Sequence, residues 1–122
     1  MVWYPSVDDV VCANNIAIDL GNDRHPPKLL GSRKGIQAII DRVKEAENRG
    51  LMYQAALLMK EIARLHAFAG ANHRTAYLVV KTFLFMNGKK LRVNRLGEAY
   101  PFIKNIDSRS IEEIREWVEH GV

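Results

Sequence analysis

A regular apolar pattern between residues 51 and 65 constrains the fold of this chain more than any other feature of the sequence. Large aliphatic residues and alanine recur there every three or four positions, which is the spacing of one face of an α-helix. The members of this stripe are Leu51, Ala55, Leu58, Ile62 and Leu65. Met52, Leu57 and Met59 lie beside the stripe, so this helix is predicted to be buried on most of its sides.

A second helix of the same apolar character is predicted from Ala76 to Met86, and Asn87 followed by Gly88 is a typical helix end. Its apolar members are Ala76, Leu78, Val79, Val80, Phe83, Leu84, Phe85 and Met86. We expect the two helices to pack against each other as a central hairpin. Since both are apolar on most sides, the rest of the chain is expected to cover them.

Further helices are predicted on both sides of this central pair. Ser6 with Asp9, and Ser110 with Glu113, have the spacing of capping boxes, in which the first and fourth residues satisfy each other's backbone N–H groups. Apolar residues at helical spacing also predict an amphipathic helix through Ile36 to Val43. No stretch alternates apolar and polar residues as a strand does. The predicted fold class is therefore all-α, a compact bundle of about six helices.

The composition is that of one ordinary globular domain, which we predict to span residues 1–122. Hydrophobic residues make up 48% of the chain, and the single Cys12 excludes an internal disulfide or a cysteine-cluster zinc site. No apolar run approaches the roughly 18 residues of a membrane-spanning helix, and no signal-peptide pattern opens the chain. We therefore expect a cytoplasmic protein without a membrane partner.

The net charge of +4 permits an acidic partner but is typical of a solvated basic surface. Lys89, Lys90, Arg92 and Arg95 raise the hypothesis of a nucleic-acid binder, but no recognition helix accompanies them, so nucleic acid is not an expected partner. The basic loop between residues 21 and 33 has two interpretations, a solvated connector or a substrate-docking segment. We favour the connector.

The stretch from His66 to Arg74 joins the two central helices and has an unusual charge for the start of a helix. The N-terminus of a helix is positive and favours acidic side chains, yet His73 and Arg74 lie there and no acid occurs from residue 67 to 81. Such an end is unfavourable unless an anion neutralises it. Helix N-termini bind phosphate readily, so backbone N–H groups of residues 71 to 74 are predicted to form an anion site.

The residue types in this loop suit a phosphate site. The planar fork of Arg74 matches phosphate oxygens and predicts a phosphate clamp. Asn72 is predicted to cap the following helix and to hold the loop. Phe68 is expected to point into the core as an anchor, while Gly70 and Ala71 permit close approach of the backbone to a phosphate. From position alone His66 has three interpretations: a core histidine, a cation at the C-terminus of the helix, and a functional residue.

The loop also resembles that of the Fic/Doc superfamily, whose general pattern is His-x-Phe-x-acid-Gly/Ala-Asn-x-Arg. The matching positions are His66, Phe68, Ala71, Asn72 and Arg74. The resemblance covers residues 62 to 88 closely and implies that His66 is the general base. It further implies ATP or another nucleotide as donor, bound through Gly70, Ala71, Asn72, His73 and Arg74, with Mg²⁺ as a cofactor.

Two positions favour the Doc (death-on-curing) branch over the adenylyl-transferring branch. The adenylyl-transferring branch has Gly at the position of His73 and a second Arg at the position of Tyr77. The Doc branch implies transfer of a phosphoryl group to a protein hydroxyl, with nucleotidyl transfer as the lesser alternative. It also implies a translation factor as substrate and a small antitoxin protein as partner. The inhibitory string Ser/Thr-x-x-x-Glu-Gly/Asn is absent from the sequence, so restraint is expected in trans.

Gly70 is the one departure from the loop pattern. Active members have an acidic Mg²⁺ ligand there, and no acid nearby in the sequence replaces it. Phosphoryl transfer depends strongly on neutralisation of charge, largely by Mg²⁺. Two alternatives follow: a transferase with weakened metal binding, and a catalytically silent module that binds a nucleotide or a partner protein. No protein metal ligand is predicted.

Overall fold

The computed structural model describes residues 1–21, 29, 31 and 33–121. Within those residues the chain forms six α-helices, which confirms the predicted all-α class. They are α1 (Val7–Leu20), α2 (Arg33–Glu45), α3 (Leu51–Leu65), α4 (Asn72–Met86), α5 (Leu96–Ile103) and α6 (Ile111–His120). Short 3-10 helices occupy Glu47–Arg49 and Ile106–Ser108. Most of the predicted connector, with Arg24, His25 and Lys28, lies outside the described residues.

Capping boxes begin the first and the last helix, as the sequence predicts. Ser6 Oγ accepts a hydrogen bond from the Asp9 N–H at 3.1 Å, and the Asp9 carboxylate accepts one from the Ser6 N–H at 2.8 Å. Ser110 and Glu113 make the same pair at 3.1 Å and 3.2 Å. These reciprocal bonds satisfy N–H groups that have no partner within the helix, so both helix starts are set locally.

The central hairpin of α3 and α4 is confirmed, and it determines where the loop between them lies. α3 packs most extensively against α4 and also contacts α2 and α6, while α1 covers α4. The stripe residues Ala55, Leu58 and Ile62 are buried in the resulting core. Because α3 ends at Leu65 and α4 begins at Asn72, the loop of residues 66 to 71 lies at one end of the best-packed pair of helices.

The end of α4 differs from the prediction. Phe83 and Leu84 are fully buried, but Phe85 is 73% exposed and Met86 is 48% exposed. Successive residues of a helix differ in direction by about 100°, so four consecutive side chains cannot all face one neighbour. The apolar run therefore cannot be buried as a whole, and its last two residues face outward.

The N-terminal residues are held against this bundle by an asparagine. The Asn87 side chain accepts a hydrogen bond from the Trp3 N–H at 2.8 Å and donates one to the Trp3 carbonyl at 3.0 Å. Gln54, which is buried, donates to Tyr4 Oη at 2.8 Å and to the Val43 carbonyl at 2.9 Å. In the part of the chain that the structure describes, no helix has the length and apolar character needed to cross a membrane.

Candidate active site

His66 lies on the surface at the end of α3. It is the C-cap residue and adopts the left-handed conformation, with φ 50° and ψ 46°, a region that histidine enters more readily than most residues. The preceding Leu65 is 38% exposed, so α3 leaves the core at its last residues. The His66 side chain is 59% exposed. The core interpretation of His66 is therefore wrong, and its imidazole is accessible to a substrate.

Phe68 lies in the loop after His66 and packs in the core. Phe68 is 3% exposed and belongs to the hydrophobic core. Its backbone N–H donates to Asn72 Oδ1 at 3.1 Å, and its carbonyl accepts from Asn72 Nδ2 at 3.0 Å. The Asn72 side chain thus pairs with both the N–H and the carbonyl of Phe68 and closes the loop.

The predicted capping role of Asn72 is wrong, because this contact with Phe68 replaces it. Asn72 is the first residue of α4, and the N-cap position is taken by Ala71 in the left-handed conformation, with φ 60° and ψ 29°. No side chain of the described residues caps the helix there. The first N–H groups of an α-helix have no acceptor within the helix. The start of α4 therefore keeps the property that a phosphate site needs, a positive helix end without a capping side chain.

Asn14 of α1 holds the other side of the loop, and sequence reasoning missed it. It is fully buried, and its Nδ2 donates to the Gly70 carbonyl at 2.9 Å and to Thr75 Oγ1 at 3.0 Å. Thr75 Oγ1 in turn donates to the Ala71 carbonyl at 2.7 Å. The sequence does contain a signal for the burial of Asn14. It follows Val10 by four residues and precedes Ala17 by three, which places it on the buried face of α1.

Arg74 extends from the first turn of α4 to the C-terminal end of α1. Its Nη1 donates to the Ala17 carbonyl at 3.0 Å, which places a cation at a negative helix end. With Leu20, Gly21, Leu96, Gly97 and Tyr100 it lines an open cleft of about 630 Å³. The predicted phosphate-clamping role of Arg74 stays a prediction.

His73 and His66 lie together, with a carboxylate from a distant part of the chain between them. Their ring centroids are 6.2 Å apart, in an edge-on arrangement. Asp107, from the 3-10 helix before α6, has its Oδ1 3.5 Å from His73 Nε2 and its Oδ2 4.0 Å from His66 Nε2. No local pattern marks Asp107 in the sequence, because its partners are on other elements.

Gly70 leaves open space in the loop and no carboxylate. Its φ is not in the left-handed region, and a Cβ built on it would meet no atom of the described residues within 4 Å. Among the described residues no group of three acidic, histidine or cysteine side chains is arranged to hold a metal ion. Mg²⁺ is usually bound through one or two carboxylates and the phosphates of a substrate. The residues around Gly70 do not fit Mg²⁺ in this way, whereas the uncapped helix end fits a nucleotide phosphate.

Tyr77 occupies a structural position on α4. It is fully buried, and its hydroxyl donates to the Val93 carbonyl at 2.7 Å. Burial raises the pKa of Tyr77 to about 12, with a smaller contribution from the negative charge of Glu98. The side chain at this position therefore stays neutral and faces the core, and it offers no charge to a phosphate.

Comparison with known families matches this region of the chain. The model of the Fic/DOC family matches residues 22–84, which is more than half of the chain. The matched stretch contains α2, α3, the loop and most of α4, whereas Asn14 and Asp107 lie outside it. No curated protein matches the chain.

Proposed function

Because the chain belongs to the Fic/DOC family, and such membership suggests a transferase-type function, we propose that it moves a phosphoryl group from a nucleotide to a hydroxyl group of another protein. One observation carries this proposal. The accessible imidazole of His66 lies beside the uncapped start of α4, since its ring is 6.2 Å from that of His73, the second residue of that helix. A base and an anion-binding helix end are thus available to the same reacting groups.

In the proposed reaction the hydroxyl oxygen of the protein substrate attacks the γ-phosphorus of the nucleotide. His66 accepts the proton of that hydroxyl, as imidazole suits general base catalysis near neutral pH. The bond from the γ-phosphorus to the bridging oxygen breaks, and the nucleoside diphosphate leaves with the bonding electrons. The N–H groups at the start of α4, together with His73 and Arg74, bind the negative oxygens.

Two observations support phosphoryl transfer over nucleotidyl transfer. His73 is a bulky residue, half-buried beside the helix start, where the adenylyl-transferring branch has Gly. Tyr77 is buried and neutral at the position where that branch has a second Arg. The site therefore has a larger side chain at the first position, and no cation at the second, where that branch has Gly and Arg. ATP is the proposed donor, and a toxin of the Doc branch is the proposed class.

The proposed partners follow from this class. A translation factor is the proposed protein substrate, and a small antitoxin protein is the proposed inhibitor, acting in trans. The net charge of +4 is compatible with an acidic partner for either role.

A labelling experiment tests the proposed activity. The protein is incubated with a cell lysate and either γ-labelled or α-labelled ATP. We expect the γ label to appear on protein and His66→Asn to abolish it, because asparagine tolerates the left-handed conformation but cannot act as the base. His120→Asn is the matched control, since His120 is an exposed histidine on α6. Transfer of the α label instead would contradict phosphoryl transfer.

Gly70 favours a second candidate, a catalytically silent module that binds a nucleotide. The start of α4 has no capping side chain among the described residues, while the loop lacks the carboxylate of active relatives. In this second proposal the site binds a nucleotide without turnover. Backbone amide chemical shifts of residues 72 to 75 during an ATP titration would reveal this binding. Shifts without transfer of either label would favour the silent module, whereas transfer of the γ label would exclude it.

A further inference from the structure

We propose that Asp107 is a positioning residue that fixes the imidazoles of His66 and His73 in the site. The catalytic consequence rests on the proposed function. The two carboxylate oxygens of Asp107 are divided between the histidines, with Oδ1 3.5 Å from His73 Nε2 and Oδ2 4.0 Å from His66 Nε2. One carboxylate therefore bridges two rings that belong to different elements, the end of α3 and the start of α4.

The surroundings of His73 make this contact important. His73 Nε2 is shielded from solvent and makes no hydrogen bond within the described part of the chain. A shielded polar atom without a partner is unfavourable, so the nearby carboxylate lowers the cost of this position. No acid occurs between residues 67 and 81 to play the same part. Asp107 thus stabilises a ring whose own loop offers it no anion.

The backbone around Asp107 is well held, which a positioning residue requires. The adjacent Ile106 is fully buried in the core. The Arg109 N–H donates to the Ile106 carbonyl at 3.1 Å, and the Arg109 carbonyl accepts from Lys60 Nζ of α3 at 2.6 Å. The 3-10 helix that carries Asp107 is therefore attached to α3, the helix that ends at His66. Asp107 and His66 are thus both held by α3.

The test compares Asp107→Asn, which removes the charge with little change of shape, with Asp107→Glu, which retains a carboxylate. Asp41→Asn is the control, because Asp41 is an exposed acid on α2 that accepts a hydrogen bond from Gln37. Nuclear Overhauser effects between the His66 and His73 rings and ring relaxation are measured without nucleotide. Transfer kinetics with γ-labelled ATP and melting temperature are measured alongside.

We expect Asp107→Asn to lose the effect between the rings and to increase ring mobility, while Asp107→Glu and Asp41→Asn keep the wild-type values. In the transfer assay, kcat should fall between about 10-fold and 100-fold in Asp107→Asn, part of the usual contribution of a general base. KM for ATP should rise as well, because His73, which binds the nucleotide's oxygens in the proposed reaction, is no longer held. The melting temperature should change little, since the Asp107 side chain is 46% exposed.

Unchanged ring contacts and mobility in Asp107→Asn would overturn the inference, and so would an equal loss in Asp41→Asn. A specific loss in Asp107→Asn, restored in Asp107→Glu, supports it even if the wild-type protein transfers no label. In that case the positioning role of Asp107 stands and the proposed function fails, so the two failures are distinguishable.

Discussion

Asn72 and Phe68 are joined by two hydrogen bonds in opposite directions, from the Phe68 N–H to Asn72 Oδ1 at 3.1 Å and from Asn72 Nδ2 to the Phe68 carbonyl at 3.0 Å. Asn87 makes the same pair of bonds with Trp3 at the other end of α4. The two asparagines thus have the same kind of contact, but only Asn72 closes the loop of the candidate site. Substitution of Asn87 is therefore a matched control for substitution of Asn72.

Asn72→Ala should reduce the free energy of unfolding by about 1–3 kcal/mol, because the Phe68 N–H and carbonyl lose their partner in a partly buried place. Asn87→Ala should have a loss of similar size. Only Asn72→Ala should increase hydrogen exchange in residues 67 to 74, which mass spectrometry would measure. Equal loop exchange in both variants would show that Asn72 does not hold the loop.

Gly70→Asp should raise Mg²⁺-dependent transfer, because it adds the carboxylate that active relatives have at this position. The substitution is sterically permitted within the described part of the chain, since φ is not left-handed and a Cβ meets no atom there within 4 Å. One electrostatic element of such a site is commonly worth on the order of 10²–10³ in rate. Gly70→Asn, which has the same shape without the charge, is the control.

Initial rates of γ-label transfer at several Mg²⁺ concentrations would measure the effect of Gly70→Asp. An equal rise in Gly70→Asn would mean that shape, and not charge, is responsible. A folded Gly70→Asp protein that binds ATP and transfers nothing would favour the silent module over the enzyme.

Ala71→Gly should increase the free energy of unfolding by about 0.5–1 kcal/mol, because Ala71 has φ 60° and glycine adopts this conformation without strain. Ala69→Gly is the control, since Ala69 is exposed in the same loop and its φ is not positive. That change should reduce stability slightly through the entropy of the unfolded chain. Urea denaturation of both variants measures the difference, and a loss of stability in both would contradict the prediction.

Tyr77 should make the protein less stable at high pH. Burial raises its pKa from 10.0 to about 12, so the unfolded chain loses this proton at a lower pH than the folded chain. The stabilisation is therefore fully present below pH 10 and is lost as the pH rises through about 12. A shift of this size corresponds to about 2–3 kcal/mol.

The comparison with Tyr77→Phe isolates this effect, because other groups titrate equally in both proteins. The advantage of the wild-type protein over Tyr77→Phe in urea unfolding should shrink by about 2–3 kcal/mol between about pH 9 and about pH 12. A difference that stays constant over this range would show that Tyr77 does not titrate on unfolding.

The features that the sequence determined by itself are those that depend on neighbours along the chain. The starts of α1 and α6 follow from hydroxyl and carboxylate groups three residues apart, and the bounds of α3 from the spacing of its apolar residues. The site loop was likewise recognisable, because His66 to Arg74 form one continuous stretch. In each case the interacting groups are within a few residues of each other, so local patterns contain the information.

Only the tertiary structure decided which distant groups meet that loop. Asn14 reaches Gly70 because α1 packs on α4, and Asp107 reaches the two histidines because Ile106 is buried and Arg109 is bonded to α3. The outward direction of Phe85 likewise depends on which face of α4 its neighbours cover. These contacts are set by the packing of whole helices. The residues in each contact are far apart in the sequence, so no local pattern predicts that they meet.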